Sequence, residues 1–140
     1  MTDFSITRVV FGEMGFVELT NMGTANADPA ELELCQFPQY PNPPAGDVAP
    51  GKTVRVPAAD LGGLNAQNGE LAIYVIEDEY ENPDAIAEYL QWGEVGHKRS
   101  SVAIAAGVWP DDGVIDALGA TELTSKGRAV NPDDWKATAS

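Results

Sequence analysis

Short segments in which apolar and polar residues alternate recur along this chain, and Gly, Pro, Asn and Asp cut each one off before a helical period could persist for three turns. A chain punctuated in this way has to build its core from strands. ITRVVF (residues 6–11) stops at Gly12, and FVELT follows with Val17 and Leu19 on one side and Glu18 and Thr20 on the other, which predicts a hairpin over residues 6–22. In ELELCQF, Leu32 and Leu34 alternate with Glu31 and Glu33, and in KTVRVP, Val54 and Val56 point inward with Arg55 outward. Pro38, Pro41, Pro43 and Pro44 lack the amide donor a ladder needs, so QYPNPPAGD between these strands is a loop. AADL (58–61) has room for one helical turn. In LAIYVIE the alternation disappears, as expected of a strand covered on both faces.

Residues 86–109, IAEYLQWGEVGHKRSSVAIAAGVW, form the centrepiece. AIAEYLQW reads as a strand, Gly93 and Gly96 as a hinge, and SSVAIAAG as one helical turn with Ser100 or Ser101 as its cap and Gly107 at its end. Trp92 and Trp109 are expected inside a two-layer sheet structure. VIDAL (114–118) is the expected last strand, followed from about residue 120 by an irregular tail whose final KATAS is disordered. The fold predicted is all-β: an immunoglobulin-like two-sheet β-sandwich with at most one or two short helical turns, occupying residues 1–140 as one domain, with a partly open barrel as second architecture.

Charge narrows the choice of partners. Against 8 basic residues stand 22 acidic ones, a net charge of −14. Such a field repels phosphate backbones and anionic lipid, which disfavours nucleic acid and membrane surfaces alike. No segment reaches the length of a membrane span, so no membrane insertion is expected. Cys35 is the single cysteine and has no partner within the chain for a disulfide. The chain is expected in the cytoplasm if Met1 is its native start, and in an extracellular or periplasmic space if an export signal lay upstream.

His97 is the only histidine, which leaves a catalytic triad or a multi-histidine zinc site hard to assemble. Arg99 is expected to stack on Trp92 or Trp109 or to pair with Glu88 or Glu94, as a structural clamp more readily than as a ligand-binding residue. Cys35 has only Glu31 and Glu33 as charged neighbours in sequence, and these favour a protonated, unreactive thiol. In the acidic loop 77–84, Glu77, Asp78, Glu79 and Asp84, with Glu81, supply the oxygen ligands calcium takes, without the spacing of an EF-hand. Phe37 and Tyr40, held by the proline-rich loop, offer a flat binding platform. GEVG (93–96) has neither the ending nor the context of a phosphate loop.

FVELTNMG (16–23), LELCQF (32–37), VAPGKTVRV (48–56), GELAIYV (69–75) and YLQWG with the downstream histidine, arginine and AAGVW together resemble the lamin-tail domain of bacterial and archaeal type. Cys35-Gln36-Phe37 departs from the tryptophan that commonly ends the third strand of that family. The resemblance implies an immunoglobulin-like sandwich and a role as a non-catalytic interaction or accessory module binding a protein or surface ligand. It carries over no catalytic residue and no cofactor. Two other readings stand beside it: a calcium-dependent binding domain using the loop 77–84, and a small hydrolase, which would require a polar cleft joining His97 to nearby acids.

Overall fold

The computed structural model describes residues 2–139 and is built mostly of strands. In chain order these are β1 (Phe4–Val10), β2 (Phe16–Asn21), β3 (Glu33–Cys35), β4 (Thr53–Pro57), β5 (Gly69–Tyr74), β6 (Ile86–Trp92), β7 (Glu122–Thr124) and β8 (Lys136–Thr138). They form two antiparallel sheets, one ordered β4-β2-β1-β7-β8 and the other β3-β5-β6. The all-β sandwich expected from the punctuation is therefore the fold.

The hairpin is present, with Ile6 opposite Leu19 and Val9 opposite Val17. Between those pairs the register slips at Thr7, and this bulge keeps both Ile6 and Val9 on the buried side. On the opposite face Phe16 lies beneath two guanidinium groups, Arg55 at 3.9 Å and Arg8 at 5.3 Å from the ring centre, and these pair with Glu18 and Glu122. Val17, Leu19, Val56 and Leu123 complete the inner face of this sheet and meet Leu34, Leu71, Ile73 and Leu90 of the other. Burial of this many aliphatic side chains is the main force holding the layers together.

Every residue of β5 is buried, as its unbroken apolar run predicts. A third layer is the reason. The helix α1 (Ser100–Ala106), the segment 107–117 and the proline loop cover the sheet's outer face. Trp92 packs inward, 5.5 Å from the Phe11 ring, and leaves no room for a Cβ at Gly69, which would lie 2.3 Å from the indole. Trp109 is equally buried but lies on the other side of the same sheet, edge-on to Tyr89 at 5.8 Å. Both indoles are inside the protein, and only Trp92 is between the sheets.

Three further expectations need correction. The VIDAL segment is no strand: Ile115 makes one isolated parallel bridge to Trp92. The region from about residue 120 is not an irregular tail, because β7 joins the edge of β1 and β8 joins β7, with Leu123 fully buried and Trp135 nearly so. Lys136, Ala137 and Thr138 of KATAS lie in β8, while Ser140 lies outside the described residues. Neither serine caps α1 either; Arg99 occupies the N-cap without a side-chain bond, Ser100 Oγ donates to the His97 carbonyl, and Gly107 ends the helix at φ 75°. Among the described residues no helix is long and apolar enough to cross a membrane.

Glu88 joins the sheets by a polar contact. Where β7 stops, the edge of β1 is left open, and the Glu88 carboxylate reaches it from β6, accepting from Ser5 Oγ at 2.7 Å and from the Ile6 amide at 2.8 Å. Burial, only partly offset by these bonds and by Arg128, pushes its pKa up to about 7. The folded state thus holds a proton between the ordinary carboxyl value of 4.5 and about 7 that the unfolded chain has lost. Stability falls as pH rises through that window, by about 3 kcal/mol in all. Glu88→Gln keeps an acceptor for Ile6 and removes the titration. Denaturant unfolding of both proteins at pH 5 and pH 8 is expected to show the variant's advantage growing toward pH 8; a difference constant across that range disproves the assignment.

Candidate functional site

Doubly covered strands confront the polar side chains on their outer face with a choice between internal partners and a costly burial. On β3 these are Glu33 and Cys35, on β5 Glu70 and Tyr74, on β6 Tyr89 and Gln91, all buried. The partners come from three loops. Tyr80, in the acidic turn after β5, donates to Glu33 Oε2 at 2.7 Å and receives the Tyr74 hydroxyl on its carbonyl at 2.6 Å. Its ring stacks on Tyr40 of the proline loop at 3.8 Å. Gln91 Nε2 and Trp109 Nε1 both donate to the Gly113 carbonyl.

Arg99 locks the three loops together. It is 5% exposed, donates through Nη2 to the Tyr40 hydroxyl, and its guanidinium lies 5.5 Å from the Phe37 ring centre, 5.9 Å from Tyr40 and 5.5 Å from Tyr80. Its backbone amide donates to Glu70 Oε1 at 3.1 Å, an oxygen that also lies 3.0 Å from the Tyr89 hydroxyl. The expectation of indole stacking or of pairing with Glu88 or Glu94 is corrected. Glu88 serves β1, Glu94 is exposed in the turn, and among the described residues the carboxylate paired with Arg99 is the exposed Glu81, at 3.8 Å.

Arg99, Phe37 and Tyr40, singled out separately in the sequence, thus meet at one place. Phe37 remains 46% exposed, with Lys98 Nζ 5.4 Å from its ring centre. Tyr80 and Glu70 belong to the same assembly, and sequence reasoning passed over both. The signal for Glu70 was available: a carboxylate at the head of an otherwise apolar, doubly buried strand needs a buried partner or a function.

Two clefts flank Arg99. One, of about 470 Å³, is lined by Asp78, Glu79, Tyr80, Glu81, Asn82, Lys98 and Arg99. The other, of about 320 Å³, runs between the proline loop and β5 and brings His97 and Glu70 onto a common wall. A polar cleft joining His97 to an acid is therefore present, although neither tryptophan lines it. A larger hollow, about 890 Å³ among Phe11, Ala58, Gly63 and Leu64, has Glu13 as the ionisable side chain in its lining.

Glu77, Asp78, Glu79 and Asp84 are not gathered. Asn82 organises their turn by donating to Glu79 Oε1 and accepting the Asp84 amide, and among the described residues no three His, Cys, Asp or Glu side chains converge as a ligand set. Cys35 faces the outer cluster beside Arg99 and Tyr40, so its basic neighbour comes from distant sequence. Burial first, and then Glu70, pushes the thiol up to about 12 despite the opposing pull of Arg99 and Tyr40. It is no nucleophile at neutral pH. No family model, curated protein or solved structure matches the chain.

Two measurements check this construction. Cys35 is expected to resist a thiol reagent such as dithionitrobenzoate in the native protein and to react only at the rate of global unfolding; fast native labelling disproves its burial. Tyr80→Phe strips Glu33 of the one side-chain donor it has among the described residues, leaving both carboxylate oxygens without a partner there, and is expected to cost about 1–3 kcal/mol in urea unfolding.

Proposed function

We propose that this chain is a non-catalytic binding module, a sandwich of lamin-tail type that recognises a protein or surface ligand through the face built by Phe37, Tyr40, Tyr80, Lys98 and Arg99. The observation carrying the reading is an exposed aromatic ring beside two cations, one buried and one in solvent: Phe37 stands half in solvent with Arg99 and Lys98 near its ring. A ring whose position is set by a proline loop and a buried guanidinium loses little freedom on binding. Such anchors, amphipathic and rigid, carry much of the energy in protein interfaces. The lamin-tail likeness rests on the strand and turn segments quoted above and is supported by the antiparallel two-sheet architecture alone, which does not dictate function.

Chemistry points the same way. The sole thiol is sealed and protonated, and no serine or threonine lines the cleft of His97 and Glu70. A nucleophile for the hydrolase reading is missing from that wall.

Immobilised protein and the double variant Phe37→Ala/Lys98→Ala, passed over the same soluble-protein and solubilised cell-surface fractions, test the reading. The wild type is expected to retain at least one species that the double variant retains at least tenfold less, at unchanged melting temperature. Equal retention by both removes this face from the proposal. Turnover of an ester, amide or glycoside panel that disappears in His97→Ala replaces the binding module with an enzyme.

A further inference from the structure

We infer that the smaller cleft is a receptor for a primary ammonium group, and that the group it takes is the side chain of a lysine presented by a partner protein. The inference deepens the binding-module reading and rests on it, but its site is the wall of the cleft rather than the outer platform; only Phe37 belongs to both.

The cleft holds acceptors and no charged donor; the exposed Gln39 amide on its rim is neutral and carries an acceptor as well as a donor. Glu70 is 4% exposed, and its two internal bonds both fall on Oε1. Oε2 accepts from nothing among the described residues and is not sealed away from solvent, while the residue lines the cleft. His97 lines the same wall, and its Nε2, which unlike Glu70 Oε2 lies sealed beneath the surface, has no partner either. With its proton on Nδ1 the imidazole presents that nitrogen as an acceptor. Gln36 is the third contributor. Its amide nitrogen is committed to the Leu61 and Gly63 carbonyls at 2.7 and 2.6 Å, so the end it has left to offer is Oε1.

Two open oxygens, one of them an anion, answer the N–H groups of an ammonium, with the imidazole nitrogen as a further acceptor beneath the surface. A carboxylate ligand would face Glu70 without a cation, because Lys98 and Arg99 line the other cleft and not this one. A hard divalent ion would find two oxygens where it takes six or more. The rim settles which amine fits. Phe37, Pro38 and Leu61 line the same cleft and make an apolar collar above the acceptors, suited to the methylene stem of lysine and of no use to a stemless N-terminal amine. The net charge of −14 draws cationic partners toward the surface from a distance.

The test uses three small probes at mildly alkaline pH, followed by amide chemical shifts on the intact chain: Nα-acetyl-lysine methylamide, its Nε-acetylated counterpart, and glycine methylamide. The lysine probe is expected to saturate in the millimolar range or tighter, with shifts at Phe37, Gly62, Glu70 and His97. The other two are expected to bind at least tenfold more weakly. Glu70→Gln preserves Oε1 for Tyr89 and Arg99 and replaces only the free acceptor with a donor, so the lysine probe is expected to lose at least tenfold in affinity. His97→Ala removes no internal side-chain bond and is expected to cost about threefold, which covers the case in which Glu70→Gln fails to fold. Equal binding of the acetylated probe, or binding unchanged in both variants, overturns the ammonium site. Glycine methylamide binding as well as the lysine probe overturns the choice of lysine. Because the probes need no natural partner, their failure leaves the capture experiment on Phe37 and Lys98 intact, and failure of that capture leaves this titration intact.

Discussion

Covering β5 and β6 on both faces obliges the polar groups of the outer face to be satisfied by the protein itself, and the rest of the molecule follows from how that is done. An open sheet would have let Glu33, Glu70, Tyr74, Tyr89 and Gln91 face water. Here a third layer excludes it, so each loop that contributes to that layer must deliver a partner as well as a cover. The acidic turn delivers Tyr80, the proline loop Tyr40, the segment before α1 Arg99, and residues 107–113 the Gly113 carbonyl. Arg99, from the segment before α1, reaches the sheet, the proline loop and the acidic turn at once. Its planar cation serves the aromatic rings as well as the hydroxyl, which an ammonium on a flexible stem would do poorly.

This division explains what was legible in the sequence. Period-two alternation exists only where one face is wet, so β2 and β4 announced themselves, and the lack of alternation in residues 71–76 correctly signalled a doubly covered strand. The strands β7 and β8 are three residues long, too short to show a period; β7 is specified by pairing across more than a hundred residues, as between Arg8 and Thr124, and β8 only by its pairing with β7. No local signal could have revealed them. VIDAL failed in the opposite sense: Ile115 and Ala117 are buried as part of the cover while Leu118 stands in solvent, and beyond the single bridge of Ile115 none of them joins a ladder.

The same contrast governs the candidate site. Phe37, Tyr40 and Arg99 were each visible by residue type, since aromatics held by prolines and an arginine between tryptophans invite attention. Their convergence was not, because it depends on two loops folding back over one sheet face. The acidic loop drew attention by charge, yet its carboxylates diverge around an Asn82-centred turn, and the uncharged Tyr80 among them is the residue the sheet uses.

Two buried carboxylates, one on β5 and one on β6, show why position and not burial separates structure from function. Glu88 points between the layers, has both oxygens taken by Ser5 and Ile6, and lines none of the clefts described above, and the contact it makes joins the sheets. Glu70 points outward, concentrates its internal bonds on one oxygen, and leaves the other facing a cleft beside an unpartnered imidazole nitrogen. Removing the first charge relieves a desolvation cost. Removing the second takes away a free acceptor that the folded protein itself does not use, which is the property expected of a group kept for something outside the chain.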